Sequence, residues 1–165
     1  MPEVQDYQSG EILNMVKKGF NSFKLIKTPI VGAIIKNKLL KELNKCAPLK
    51  VDVDYAVELI RSSKTCAVGE RVCNALHPDS QTGASVFLDE LAIAMIEAGK
   101  AKAVQKDAAI ATISRKSKYP IVITKVSGKY MELCRSVPKN CLYWNSEKRG
   151  LKCITRKKPF PPNVA

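Results

Sequence analysis

Two cysteine pairs constrain this chain more than any other feature. "CAVGERVC" places Cys66 and Cys73 seven positions apart, and "CRSVPKNC" repeats the spacing with Cys134 and Cys141. On a continuous helix such positions share a face but are separated by about 10.5 Å of rise. That is awkward for sharing one small ligand. Gly69 lies inside the first pair and Pro138 inside the second, so each pair is expected to close as a loop around a chain breaker. A fold that uses both pairs must bring together segments remote in sequence. Cys153, in "GLKC", is a fifth candidate, whereas Cys46 ends a basic amphipathic stretch and is expected to be a buried or free thiol.

The cellular setting decides what such pairs are for. The opening "MPEVQDYQSGEI" has acids where a secretory signal needs a basic region followed by an apolar run. The longest early apolar run, "PIVGAII", is far short of the roughly 18–20 residues that span a bilayer. The expected location is therefore cytoplasmic, with peripheral attachment to the cytoplasmic membrane face as one form of it. Disulfides are rare there, and metal or redox chemistry gains weight. Structural zinc favours tighter spacings such as C-x2-C, and His77 is the only histidine. A cubane iron–sulfur cluster takes four thiolates from dispersed segments. The expected cofactor is one 4Fe–4S cluster held by Cys66, Cys73, Cys134 and Cys141, with Cys153 as a further cofactor-binding candidate. The plainer alternative is packing, because free cysteine is among the most buried residue types.

"SGKYMELCRSVPKNC", Ser127 to Cys141, resembles a region of bacterial ferredoxin-like iron–sulfur proteins. There a glycine and an "ME-C" or "EIC" turn precede a cysteine-dense C-x-C-C-x-x-C run. Here Arg135 and Ser136 stand where that run has cysteines. The resemblance implies cluster binding in general and carries over no ligand set. The C-x2-C-x2-C-x3-C-P run of ordinary ferredoxins is absent.

Charge points to acidic partners. The net charge is +13, unevenly spread. Residues 11–50 carry nine lysines against two acids, residues 51–100 four basic against eight acidic groups, and residues 101–158 fifteen basic against three acidic groups. Residues 9–45 read as amphipathic helix, with Leu13, Val16, Phe20 and Phe23, then Ile30, Val31, Ile34, Ile35, Leu39 and Leu43, at helical spacing. Pro29 starts a second helix behind a Thr28 cap. This segment is either a hairpin packed on its own domain, an in-plane anchor for anionic lipid, or a partner-binding helix. Tyr130, Tyr143, Trp144 and Phe160 among basic residues suit single-stranded RNA, or they shield a cluster from water. Partners are accordingly an acidic redox protein or larger redox complex and an anionic membrane surface, with nucleic acid less favoured.

Beyond the basic segment, residues 46–158 read as a cysteine-containing helical domain and residues 159–165 as a loose tail. Asp54 is expected to cap a helix from Tyr55, Ser85 to cap "VFLDELAIAMIEAGKA", and Asp107 to cap "AAIATISRK". "YPIVITKVSGKYMELC" fits either a hairpin turned at Ser127–Gly128 or a short extended piece followed by helix; the shared face of Val126, Tyr130 and Leu133 favours helix. The expected fold is mainly α, or α+β with a small hairpin. No P-loop, dinucleotide fingerprint or HExxH occurs, and a Cys73–His77 pair is the only nucleophile–base arrangement. The function expected is iron–sulfur electron transfer or a small subunit of a redox complex, rather than a stand-alone enzyme. The alternative is a basic RNA-binding or regulatory protein with structural cysteines.

Overall fold

A computed structural model describes residues 1–77 and 83–156. Helices α1 (Val4–Ser9), α2 (Glu11–Leu25) and α3 (Pro29–Lys45) open the chain. Strand β1 (Leu49–Val51), helix α4 (Val53–Ser62) and strand β2 (Cys66–Glu70) follow, then a short 3-10 helix over Val72–Leu76. Next come β3 (Ala84–Leu88), α5 (Asp89–Glu97), β4 (Ala101–Ala103), α6 (Lys106–Ser114), β5 (Ile121–Val126), β6 (Lys129–Arg135) and α7 (Leu142–Glu147). The strands form one antiparallel six-stranded sheet in the order β1-β5-β6-β3-β2-β4. The fold is α+β around a full sheet, which corrects the mainly-α expectation.

The strands were hard to read because the sheet is buried on both faces. All but one residue of β5 and all but one of β3 are buried. A strand covered on both sides reads as a continuous apolar run, which periodicity cannot tell from helix. "YPIVITKVSGKYMELC" is a hairpin: Ser127 (φ 47°) and Gly128 (φ 84°) both take positive φ, as a type I′ turn requires. "SVFL" belongs to β3, so the long helix expected after Ser85 begins only at Asp89. Asp89 itself has φ 50°. Its carboxylate accepts the Lys64 and Thr65 backbone N–H groups at 2.6 and 3.3 Å, fixing the corner between strand and helix. Asp52, not Asp54, caps α4, accepting the Tyr55 N–H at 3.0 Å. Gln105, not Asp107, precedes α6.

Register sorts the side chains, since alternate residues point to opposite faces. Cys66, Val68, Val86, Leu88, Met131, Leu133, Ile121, Ile123, Leu49 and Val51 share one face. Helix α6 lies there: the Arg135 Nε–H donates to the Ile113 carbonyl at 2.9 Å, and α4 packs beside α6. The other face carries Ala67, Phe87, Ser85, Glu132, Cys134, Val122 and Thr124. Helices α1 and α5 pack together over part of it.

A second, smaller core forms where α2 and α3 meet the C-terminal segment. Phe23, Leu39 and Leu43 pack against Leu151, Cys153 and Ile154. Pro29 begins α3 as expected, after Thr28. Gly32 is required at this corner, because a Cβ there would land on the Ile26 carbonyl. Glu147 organises the chain's return: its carboxylate accepts the backbone N–H groups of Cys153 (2.9 Å) and Ile154 (3.0 Å) and pairs with Arg156 at 2.7 Å. Thr155 then bridges Leu49 in parallel, with Lys50 N–H on the Thr155 carbonyl at 2.9 Å and Thr155 N–H on the Pro48 carbonyl at 2.8 Å. The tail expected over 159–165, with Phe160, and the turn-rich loop after His77 lie outside the described residues.

Candidate functional site

Three of the cysteines singled out by spacing converge. Cys73 sits in the 3-10 helix that follows β2. Cys134 is near the end of β6, opposite Ser85 and Val122. Cys141 immediately precedes α7. All three line one small cavity of about 70 Å³ between the sheet, α2 and α7, which Tyr7, Glu132, Thr124 and Leu142 help to enclose. The remote segments therefore do come together. The two breakers differ: Pro138 lies in a turn between Cys134 and Cys141, as expected, whereas Gly69 lies within β2, where a Cβ would meet the Lys100 carbonyl and Ala101 of the neighbouring segment.

Arg71 lies among these thiols with only 2% of its surface exposed. One of its amino groups donates to the Arg135 carbonyl at 2.8 Å and the other to Cys73 Sγ at 3.2 Å. Burial alone would lower its pKa, but the charges that Cys134, Cys73 and Cys141 can carry hold it above the ordinary arginine value. Burial pushes Cys134 well above the usual thiol value and raises Cys73 and Cys141 too, with Arg71 opposing the rise in each case. The resting cavity thus holds neutral thiols beside a permanent cation.

A carboxylate stands next to them. Glu132 accepts hydrogen bonds from the hydroxyls of Tyr7 (2.6 Å), Thr124 (3.2 Å) and Ser85 (3.4 Å). Burial, then the Glu132 charge and hydrogen bond, lift the Tyr7 phenol well above its ordinary value. Tyr7 carried no sequence signal for this role, being brought in by α1, which shows no motif. Arg71 lies inside "CAVGERVC", two residues before Cys73.

The other cysteines lie elsewhere. Cys66 is on the opposite face of the sheet from Cys134, with its sulfur 3.2 Å from the Ser63 hydroxyl. Cys153 is buried in the second core, its Sγ 3.7 Å from the Tyr143 carbonyl, and burial followed by Glu147 pushes its thiol up to about 12. Cys46 is half-buried below α3, with Sγ 3.8 Å from the Glu42 carbonyl. Among the described residues no three His, Cys, Asp or Glu side chains form a group that holds a metal ion. This overturns the reading of the chain as a metal-binding, iron–sulfur, 4Fe–4S protein: a sheet separates Cys66 from Cys134, and Cys73, Cys134 and Cys141, though they line one cavity, do not themselves form a metal-holding group. His77 packs edge-on against Phe20, with ring centroids 5.6 Å apart.

The basic helices make a second feature. Between Glu11 and Glu42 there is no acidic residue and there are seven lysines. Lys24, Lys27, Lys38 and Lys41 are exposed, and none of these four forms an ion pair among the described residues. The corner between α2 and α3 also exposes Leu25 (51%), Val31 (52%) and Ile34 (66%). No helix among the described residues is long and apolar enough to cross a membrane. The aromatic residues are mostly engaged: Tyr143 lines the thiol cavity, and Arg156 lies over the Trp144 ring at 5.8 Å. No family model, curated protein or solved structure matches this chain.

Proposed function

We propose that this is a small basic accessory protein that docks on an anionic lipid surface through the α2–α3 corner and carries its thiol cavity to that surface. The observation that supports the reading is the pattern at the corner. Soluble surfaces scatter single apolar side chains; here Val31 and Ile34, three residues apart on one helix face, and Leu25 at the end of the preceding helix are exposed amid lysines with no nearby acid. Apolar insertion flanked by lysines is the chemistry of an interfacial anchor. Each lysine near an anionic leaflet contributes about 1 kcal/mol, and the attraction weakens as salt rises.

The test is co-sedimentation of the full chain with vesicles of mixed phosphatidylserine and phosphatidylcholine, beside phosphatidylcholine alone and a single-stranded RNA. Binding to the anionic vesicles is expected, weakening with salt. Ile34→Ser with Val31→Ser is expected to lower affinity at least about tenfold at low salt, because the charge remains and the insertion is lost. These exposed positions are expected to change stability by no more than about 0.5 kcal/mol. Binding to RNA with no affinity for anionic vesicles, or vesicle binding indifferent to the double substitution, overturns the reading.

A further inference from the structure

The thiol cavity is a buried nucleophilic cluster that lipid docking does not use. Three sulfurs line about 70 Å³, room for roughly two waters at about 30 Å³ each. The walls are polar as well as apolar, with Arg71, Glu132, Thr124 and Tyr7 among them. Cys73 is half-buried on the 3-10 helix, whereas Cys141 is buried. The Arg71 guanidinium donates to Cys73 Sγ at 3.2 Å, so an anionic sulfur at Cys73 meets a fixed cation.

We infer that the cavity is a peroxide-oxidation site in which Cys73 is the attacking sulfur and Cys141 resolves it into a Cys73–Cys141 disulfide. In the first step Cys73 gives up its proton, and its thiolate attacks one oxygen of hydrogen peroxide. The S–O bond forms as the O–O bond breaks. The leaving hydroxide takes up the released proton to become water, and Cys73 becomes a sulfenic acid. In the second step the Cys141 sulfur attacks the Cys73 sulfur. The S–S bond forms, the S–O bond breaks, and the hydroxyl leaves with the Cys141 proton as a second water. Two thiols and one peroxide give one disulfide and two waters, with two electrons passing from sulfur to oxygen. Hydrogen peroxide fits the space that the sulfurs line. Arg71 stabilises the thiolate by charge-assisted hydrogen bonding. Cys66, behind the sheet, takes no part.

The experiment exposes the reduced full-length protein to hydrogen peroxide, blocks the remaining thiols, and reads intact mass and peptide maps. The expected product has lost two hydrogens, retains four blockable thiols and yields a cross-linked peptide joining Cys73 to Cys141. Cys73→Ser and Cys141→Ser are each expected to abolish that peptide, and Cys66→Ser to leave its yield unchanged. Circular dichroism and the urea midpoint establish that each variant is folded; if a serine variant is not, Cys73→Ala or Cys141→Ala replaces it. A bridge through Cys46 or Cys153, over-oxidation of Cys73 without a bridge, or six thiols still blockable overturns the inference. So does a protein that purifies with iron, sulfide or zinc bound at these cysteines.

Discussion

On one face of the sheet Leu49, Ile123, Leu133, Val86 and Leu88 meet apolar side chains of the main core, and the only cysteine there, Cys66, rests against a serine hydroxyl. On the other, Glu132, Thr124, Ser85 and Cys134 project from the same strands into a cavity with a buried arginine. One residue of strand register separates the two environments. The apolar face admits polarity only where it is partnered, as with Arg135 on the Ile113 carbonyl. The polar face is held by hydrogen bonds in a confined space, where each unpaired group is costly. Both sides bury apolar groups, since Phe87 and Ala67 on the cavity side also join the main core; only one side adds a cavity with thiols and a cation.

The largest expected effect is on the apolar face. Leu133 is fully buried, and Leu133→Ala is expected to cost about 3 kcal/mol in urea unfolding through lost burial and the cavity left behind. It is expected to leave the thiol cavity's oxidation product unchanged in the fraction that remains folded. Tyr7→Phe tests the opposite face from neighbouring α1. It deletes one of three hydroxyl donors to Glu132 and is expected to cost about 1.5 kcal/mol, the lower part of the range for a hydrogen bond to a charged group. A loss under about 0.5 kcal/mol would show that water replaces the phenol and that the face is wetter than its geometry indicates.

The finest discrimination is by pH. Burial raises the thiols of Cys73, Cys134 and Cys141, so each keeps its proton in the fold at pH values where the unfolded chain has lost it. Unfolded thiols ionise near about 8.5. The contribution of these groups to stability is complete below that value and declines as pH rises beyond it. Urea midpoints are expected to fall from pH 8 to pH 10. The double substitution Cys134→Ala and Cys141→Ala is expected to make that fall shallower, whereas Leu133→Ala lowers the midpoint without altering the slope. Equal slopes in all three proteins would mean that the thiols ionise as freely in the fold as outside it.

The sequence made the amphipathic helices legible, because Phe23, Leu39 and Leu43 recur at helical spacing and are buried while the lysines face out. Cys73, Cys134 and Cys141, three of the cysteines singled out by spacing, line one cavity. The sheet was hidden for a reason set by packing: Val122, Ile123, Val86 and Phe87 are buried whichever face they point to, so the alternation that marks a strand is erased. Cys66 was misplaced by the same effect. Spacing along the chain counts residues, but in a strand it also fixes a side, and "CAVGE" is a strand rather than a loop. Tyr7 was beyond reach of local pattern, since it meets Glu132 across a large separation in sequence, whereas Arg71 sits inside "CAVGERVC" and donates to Cys73 two residues on.

The bridge from Thr155 to β1 has a consequence for association between molecules. A sheet of this kind has two rims. At one, β4 is only three residues long and presents Lys102, a poor template for another strand. At the other, the Leu49–Val51 rim is partly occupied by the chain's own Thr155. Behind it lies "IVIT", β-branched and uncharged, the composition that self-templating fibrils favour. The Glu147–Arg156 pair and the two backbone bonds to Glu147 hold that cover in place. Loss of this small clasp would free the backbone edge of β1, a three-residue strand with Lys50 at its centre, and leave the apolar "IVIT" strand only one short, charged strand away from open pairing.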